Sequence, residues 1–182
     1  MKLETLEDGI AHLKYLISFP KMDNSYIILN KTIVNYANKN DVNQEFCDIN
    51  NIETTYLKRQ GGTFVFGEGD IVFLHSGWND HFGPQWIQYL KNKLIKYNLD
   101  IKQDNNDLLV DGYKFLGDTQ INMTDIGYNV YICCISIKHQ PNLIQTICNK
   151  NTVKIPRGLS YYGLTSDIIE KWYLDFVFYF NK

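Results

Sequence analysis

Lys114 stands two residues past Asp111-Gly112, in the run Asn106-Asp107-Leu108-Leu109-Val110-Asp111-Gly112-Tyr113-Lys114-Phe115-Leu116-Gly117. Asp-Gly between apolar runs is a strong hairpin signal, so the lysine lies at the start of a returning strand. Most lysines are solvated surface groups, and that is the default reading. Alternation along a strand puts Tyr113 and Phe115 on one face and Lys114 on the other. If that other face borders a pocket, the ammonium is aimed inward. There it could stabilise negative charge that develops in a transition state.

A second stretch has the composition of an anion cradle. Lys58-Arg59-Gln60-Gly61-Gly62-Thr63-Phe64-Val65-Phe66-Gly67-Glu68-Gly69-Asp70-Ile71-Val72-Phe73 sets glycines and an arginine between strand-forming runs. Successive backbone N–H groups in Gly-rich turns can form an anion-binding concavity, and a guanidinium can fork onto carboxylate or phosphate. The plain alternative is a β-hairpin whose turns need Gly. For Asn106-Asp107 the plain alternative is a turn cap that begins a strand.

Other chemistries find little support. His12, His75, His81 and His139 are scattered, and the spacing of His75 and His81 is poor for a metal. His75 and Trp78 read as loop residues. Gly-x-Ser-x-Gly, a Walker phosphate loop and a dinucleotide fingerprint are all absent. The lysines form no basic stripe, so nucleic acid is not an expected partner.

In their order and spacing, the two stretches resemble the biotin/lipoate protein ligase family. The matching pieces are Arg59 to Gly62, Asn106 to Leu108, Asp111-Gly112 and Lys114-Phe115-Leu116-Gly117, approached through Asn40-Asp41-Val42-Asn43 and Asn51-Ile52. The resemblance runs from about Ile27 to Thr165. It implies a class II aminoacyl-tRNA synthetase/biotin ligase-like fold, and an enzyme that activates lipoate or octanoate with ATP and Mg2+. The acyl group would pass to a lysine of a lipoyl- or biotinyl-type carrier protein. Lys114 takes the position of the family's central lysine, which contacts acyl carboxylate and α-phosphate. Arg59, Gly61, Gly62 and Thr63 would cradle the acyl-adenylate, and Asn106 and Asp107 would help hold it and its metal. Gly117 would let the backbone lie close to the acyl chain.

The chain departs from the family pattern in four places. Lys58-Arg59 replaces two arginines, and Thr63 stands in place of a third glycine. Gly67 follows Phe66 where the family has histidine. In Pro156-Arg157-Gly158, arginine occupies the position where octanoyltransferases carry cysteine, and arginine cannot form a thioester. Two other readings therefore stand beside the ligase: a ligase-fold binding module without adenylation, and an acyltransferase that does not use ATP.

These groups need a scaffold, and the periodicities supply one. Leu6, Ile10, Leu13, Leu16 and Ile17 mark an amphipathic packing helix from about Glu4 to Phe19. Strands are expected at Ser25–Leu29, Thr32–Tyr36 and Glu53–Arg59, with a short helix ending near Asn50. Pro84 opens a helix that runs to about Asn98. Beyond the hairpin at Asp111-Gly112, Thr119–Thr124 adds a strand, and apolar Tyr128–Ile137 reads as a central one. Helices are expected at Asn142–Cys148 and Thr165–Phe180. The pattern is α+β: a mixed, mostly antiparallel sheet with helices packed on it, gathered on one side.

At 182 residues, 45% of them hydrophobic, the chain is expected to form one folded domain spanning 1–182. Its net charge of −2 gives no general attraction to nucleic acid or anionic lipid. No apolar run reaches the roughly 18 residues of a membrane span. Neither a signal peptide nor a Cys-x-x-Cys pair is evident, so the four cysteines read as reduced thiols of a cytoplasmic protein. Cys133 and Cys134, adjacent in one strand, should face opposite ways. No bound metal or prosthetic group is expected.

Overall fold

A capping box starts the first helix. Thr5 Oγ1 accepts from the Asp8 N–H, and Asp8 Oδ2 accepts from the Thr5 N–H, each at 3.1 Å. This helix, α1 (Leu6–Ser18), follows a short strand, β1 (Lys2–Leu3). Next come β2 (Asp23–Ile28), β3 (Ile33–Tyr36), α2 (Gln44–Ile49), β4 (Glu53–Tyr56), β5 (Phe64–Phe66) and β6 (Ile71–Trp78). The chain continues through α3 (Phe82–Ile95), β7 (Ile101–Asp104), β8 (Asp107–Val110), β9 (Tyr113–Met123) and β10 (Tyr128–Ile135). It closes with α4 (Pro141–Ile147) and α5 (Ser166–Phe180). The computed structural model describes residues 1–36, 38–56, 64–78, 81–105, 107–139, 141–148 and 156–180.

The strands form two sheets, one of seven strands in the order β1-β2-β6-β10-β9-β8-β7 and one of three in the order β4-β3-β5. Among the described strands, β1–β2 and β3–β4 pair in parallel and the others antiparallel. The expected α+β class, a mixed and mostly antiparallel sheet with helices packed on it, is the one observed. Tyr128–Ile135 is central, fourth of the seven strands. Asp111 and Gly112 both have positive φ, 51° and 79°, as a two-residue primed turn requires. Among the described residues no helix is long and apolar enough to cross a membrane.

Several local expectations are corrected. β2 and β3 follow one another in sequence but belong to different sheets. β4 and β5 flank β3 and do not pair with each other, so they are not the arms of a hairpin. The segment read as a loop after Phe73 continues β6 as far as Trp78, and His75 is buried within it, stacked on Phe82 at 3.7 Å. Tyr113–Leu116 and Thr119–Thr124 merge into one eleven-residue strand.

The large sheet has two unlike faces. Against one lie α3 and α5, whose buried residues recur at helical spacing: Phe82, Trp86, Leu90 and Leu94 on α3, and Ile169, Trp172, Tyr173 and Phe176 on α5. They meet Ile71 and Phe73 of β6 and Tyr131, Cys133 and Ile135 of β10 in one aromatic-rich core. Not all helices gather there. α1 crosses the opposite face, where Leu16 packs with Tyr128 and Val130.

A β-bulge sets the phase of β9. Leu109 pairs with Lys114 and Leu108 with Leu116, which leaves Phe115 as the extra residue. Phe115 and Leu116 both enter the aromatic-rich core. Lys114 and Gly117 are thereby brought to the other face together.

Candidate active site

On that other face a row of register partners crosses the sheet. It runs Asp107, Gly117, Cys134, Val72, Ile27 and Leu3, one residue from each of β8, β9, β10, β6, β2 and β1. Thr119, Ile132 and Leu74 form the parallel row one step along. Except for Leu3, these residues line a cavity of about 550 Å3. α1 closes one flank with Leu6, Gly9 and Leu13, while Val65 and Phe66 of β5, Ile144 of α4 and Cys148 just past that helix line it opposite the large sheet. The volume lies within the usual range for a small-molecule site, and the lining is mostly apolar with a few convergent polar groups.

Lys114 is the principal polar group. Its Nζ lies 2.7 Å from Asp107 Oδ1, and a third of its side chain is exposed. A Cβ built on Gly117 would stand 3.0 Å from that Nζ and 3.5 Å from Asp107 Oδ1. Glycine therefore leaves room for the ammonium to lie down over the strand. Three of the sequence-identified residues, Lys114, Asp107 and Gly117, thus converge at one end of an apolar cavity. Arg59, Gly61, Gly62, Thr63 and Asn106 lie outside the described residues.

The backbone around Lys114 is pinned. Arg157 N–H donates to Lys114 C=O at 2.9 Å, and Ser136 N–H donates to Phe115 C=O at 2.7 Å. Arg157 itself faces away from the cavity. Its guanidinium is stacked 3.4 Å from the Tyr113 ring and 4.4 Å from the Tyr161 ring. Cys133 and Cys134 do face opposite sides, the first in the aromatic core and the second in the cavity wall. Burial holds the Cys134 thiol well above its ordinary ionisation and pushes Cys148 up as well. Neither is a ready thiolate.

Sequence reasoning missed the pair formed by His139 and Asp70. His139 lines the cavity with its side chain almost fully buried, and its Nε2 lies 2.7 Å from Oδ2 of the wholly buried Asp70. The contact has ion-pair distance without hydrogen-bond alignment, and His139 Nδ1 has no hydrogen-bond partner among the described residues. Asp70 also accepts from the N–H groups of Gly67 and Ile137, at 2.8 and 2.7 Å. The imidazole occupies the space that a side chain at position 67 would fill, since a Cβ there would come within 2.3 Å of His139 Cδ2. Gly67 was the available signal: where the family pattern has histidine, this chain carries glycine and brings a histidine from 72 residues further on. Among the described residues no group of three or more His, Cys, Asp or Glu could hold a metal ion.

The fold has solved counterparts. A lipoate-protein ligase A bound with ATP matches at TM-score 0.75 with 13% identity, over 97% of this chain and 81% of that one. This is the fold of the lipoate-protein ligases. LipL1 of P. falciparum, in complex with lipoate, matches at TM-score 0.73 with 12% identity, over 97% of this chain and 59% of that one. The bi-partite lipoate protein ligase of Thermoplasma acidophilum, described together with its E2 lipoyl domain, matches at 0.68 with 14% identity, over 96% and 79%. No protein-family model matches the chain, and no curated protein matches it in sequence. The lipoate-ligase fold is thus shared at identities that leave the activity to be argued from the residues themselves.

Proposed function

We propose that residues 1–182 form one lipoate–protein-ligase-like domain that activates lipoate or octanoate with ATP and passes the acyl group to a lysine of a carrier domain. The observation that carries this reading is Lys114, paired with Asp107 over Gly117 at one end of a largely apolar cavity. A medium-length acid fits those chemistries: its chain takes the aliphatic rows and its carboxylate meets the ammonium. Asp107 keeps Lys114 oriented until that carboxylate competes for it. Lys114 then stabilises the negative charge that moves between acyl oxygen and phosphate, without having to reorganise as the reaction proceeds.

ATP would supply an adenylyl group that activates the acid, with pyrophosphate released on activation and AMP released when the lysine takes the acyl group. The residues present suit it in part, because Lys114 is a cation within reach of solvent and Gly117 keeps the backbone low beside it. Arg59, Gly61, Gly62, Thr63 and Asn106 are proposed to complete the phosphate cradle. Mg2+ enters this reading only as the companion of the phosphates, since it binds readily through phosphate oxygens and one or two carboxylates. Asp107 is the carboxylate proposed for it.

The test is acid-dependent pyrophosphate release by the pure protein with lipoate, octanoate and biotin in turn. Release with lipoate or octanoate that disappears in Lys114→Ala supports the ligase. No release with any acid ends it. One observation favours a second reading, a binding module without adenylation: Lys114 is already neutralised by Asp107 in the free protein. That reading predicts heat of binding from the acid alone and none from ATP, measured calorimetrically. An ATP-independent thioester route gains little, because Arg157 stands in the cysteine position and the Cys134 thiol is held protonated.

A further inference from the structure

The cavity has a mouth and a closed end, and exposure along the transverse row tells them apart. A third of the Lys114 side chain is exposed, against 7% of Val72 and 1% of Ile27. At the Ile27 end, α1 lies across the row and turns Leu6, Gly9 and Leu13 toward the cavity, at the spacing of one helical face. Gly9 is buried, and a Cβ built on it would come within 2.2 Å of Ile27 Cδ1. The helix backbone therefore rests directly on the tip of the isoleucine. Only glycine allows that approach while the isoleucine keeps its present rotamer.

We infer that Gly9 and Ile27 form the stop that sets which chain length this cavity accepts. The inference rests on the acyl-binding half of the function proposed above and is independent of ATP use. Gly117 and Ile27 are three strands apart, so about 14 Å separates them at the usual spacing of about 4.8 Å. An ammonium–carboxylate contact uses about 3 Å of this. The van der Waals approach to the isoleucine tip uses another 2 Å or so beyond the terminal carbon. About 9 Å remains, and an extended chain advances roughly 1.25 Å per bond when each bond is about 1.5 Å long. That space takes a straight acid of about eight carbons, lying over Cys134 and Val72.

Titration calorimetry of the whole protein with hexanoate, octanoate, decanoate and dodecanoate, without nucleotide, tests the stop. Each accommodated methylene should strengthen binding about fourfold, until the chain meets Ile27 and the series turns over. Wild type should bind octanoate best. Ile27→Ala should move the optimum to decanoate, with roughly a tenfold gain for that acid. Gly9→Ala pushes the isoleucine tip away from the helix and into the cavity, so the optimum should fall to hexanoate. Ile27→Val, a milder change that keeps the fold safe, should give an intermediate shift.

An unchanged ranking in both Ile27 variants overturns the inference, and so does wild type binding dodecanoate as tightly as octanoate. Binding with the predicted shifts but no acid-dependent pyrophosphate release leaves the stop standing and removes the ligase. Pyrophosphate release with an unshifted ranking does the reverse. No binding of any acid removes both.

Discussion

The two faces of the seven-stranded sheet are written by alternate residues of the same strands, yet they do opposite things. On β6, Ile71 and Phe73 point to α3 and α5, while Val72 and Leu74 point to the cavity. On β10, Cys133 and Ile135 face the helices, and Ile132 and Cys134 face the cavity. The helix face is filled by rings: Phe73 stacks on Tyr173 at 4.2 Å and meets Trp86 edge-on at 5.5 Å. The cavity face carries short aliphatic and thiol side chains and a glycine; Phe66 of the smaller sheet packs against the cluster that holds Ile27 and Val72, and the short side chains leave open space beside that contact. Packing density on one side and emptiness on the other thus follow from side-chain volume in a period of two. The closed face should hold the fold, and the open face should hold the chemistry.

Mutations on each side break or sharpen that contrast. The largest stability effect belongs to the closed face. Trp86→Ala should cost about 3–5 kcal/mol of unfolding free energy in urea titrations, since it empties a wholly buried ring site. Acid binding at temperatures where the variant is folded should persist. A loss of binding as large as the loss of stability would show that the two faces are not separable.

Lys114→Ala should do the opposite. Pyrophosphate release should fall by about a hundredfold or more, as when a donor to developing charge is removed. The urea midpoint should move little, because a partly exposed ion pair is worth about 1 kcal/mol or less. Gly117→Ala should be milder, with roughly a tenfold loss of activity. Its methyl would displace an ammonium by only a few tenths of an ångström, though one anchored by Asp107. Full activity in this variant would show that the ammonium does not need its place over the strand.

The smallest effect returns to the helix face. Asp118 accepts from the Tyr131 hydroxyl at 2.7 Å, and burial raises its carboxyl above the usual range. A raised folded-state value means that its contribution to stability is complete below the unfolded value, about pH 4, and is lost as pH rises through the folded one. Asp118→Asn keeps an acceptor for the tyrosine and removes the ionisation. Its melting temperature should equal or slightly exceed wild type at neutral pH, and the decline of stability from pH 4 upward should flatten. An unchanged slope would show that this carboxyl does not govern it.

Features of short range were legible in the sequence. The helical stripes of α1, α3 and α5, the Asp111-Gly112 turn and the central apolar strand each depend on residues within a few positions of one another. Lys114, Asp107 and Gly117 were identified through order and spacing, and their convergence depends on a hairpin that is itself local. The bulge at Phe115 was hidden because strict alternation cannot count an extra residue. The membership of β2 and β3 in different sheets was hidden because it is decided by pairing with β6 and β5, far along the chain. The ring of His139 meets the carboxylate of Asp70 across 69 residues, and no periodicity records that meeting. α1 was legible as a packing helix, but not that its one buried glycine would form a wall of the cavity.

The unpaired Phe115 also gives the site a tolerance of chain length that a regular strand lacks. Its loss would leave Lys114 opposite Leu109, Leu116 opposite Leu108 and Gly117 opposite Asp107 in plain alternation. The ammonium and its glycine would still share one side of the sheet, and only a ring would be missing from the interior. Descendants of this chain can therefore shed that one residue without turning the lysine over.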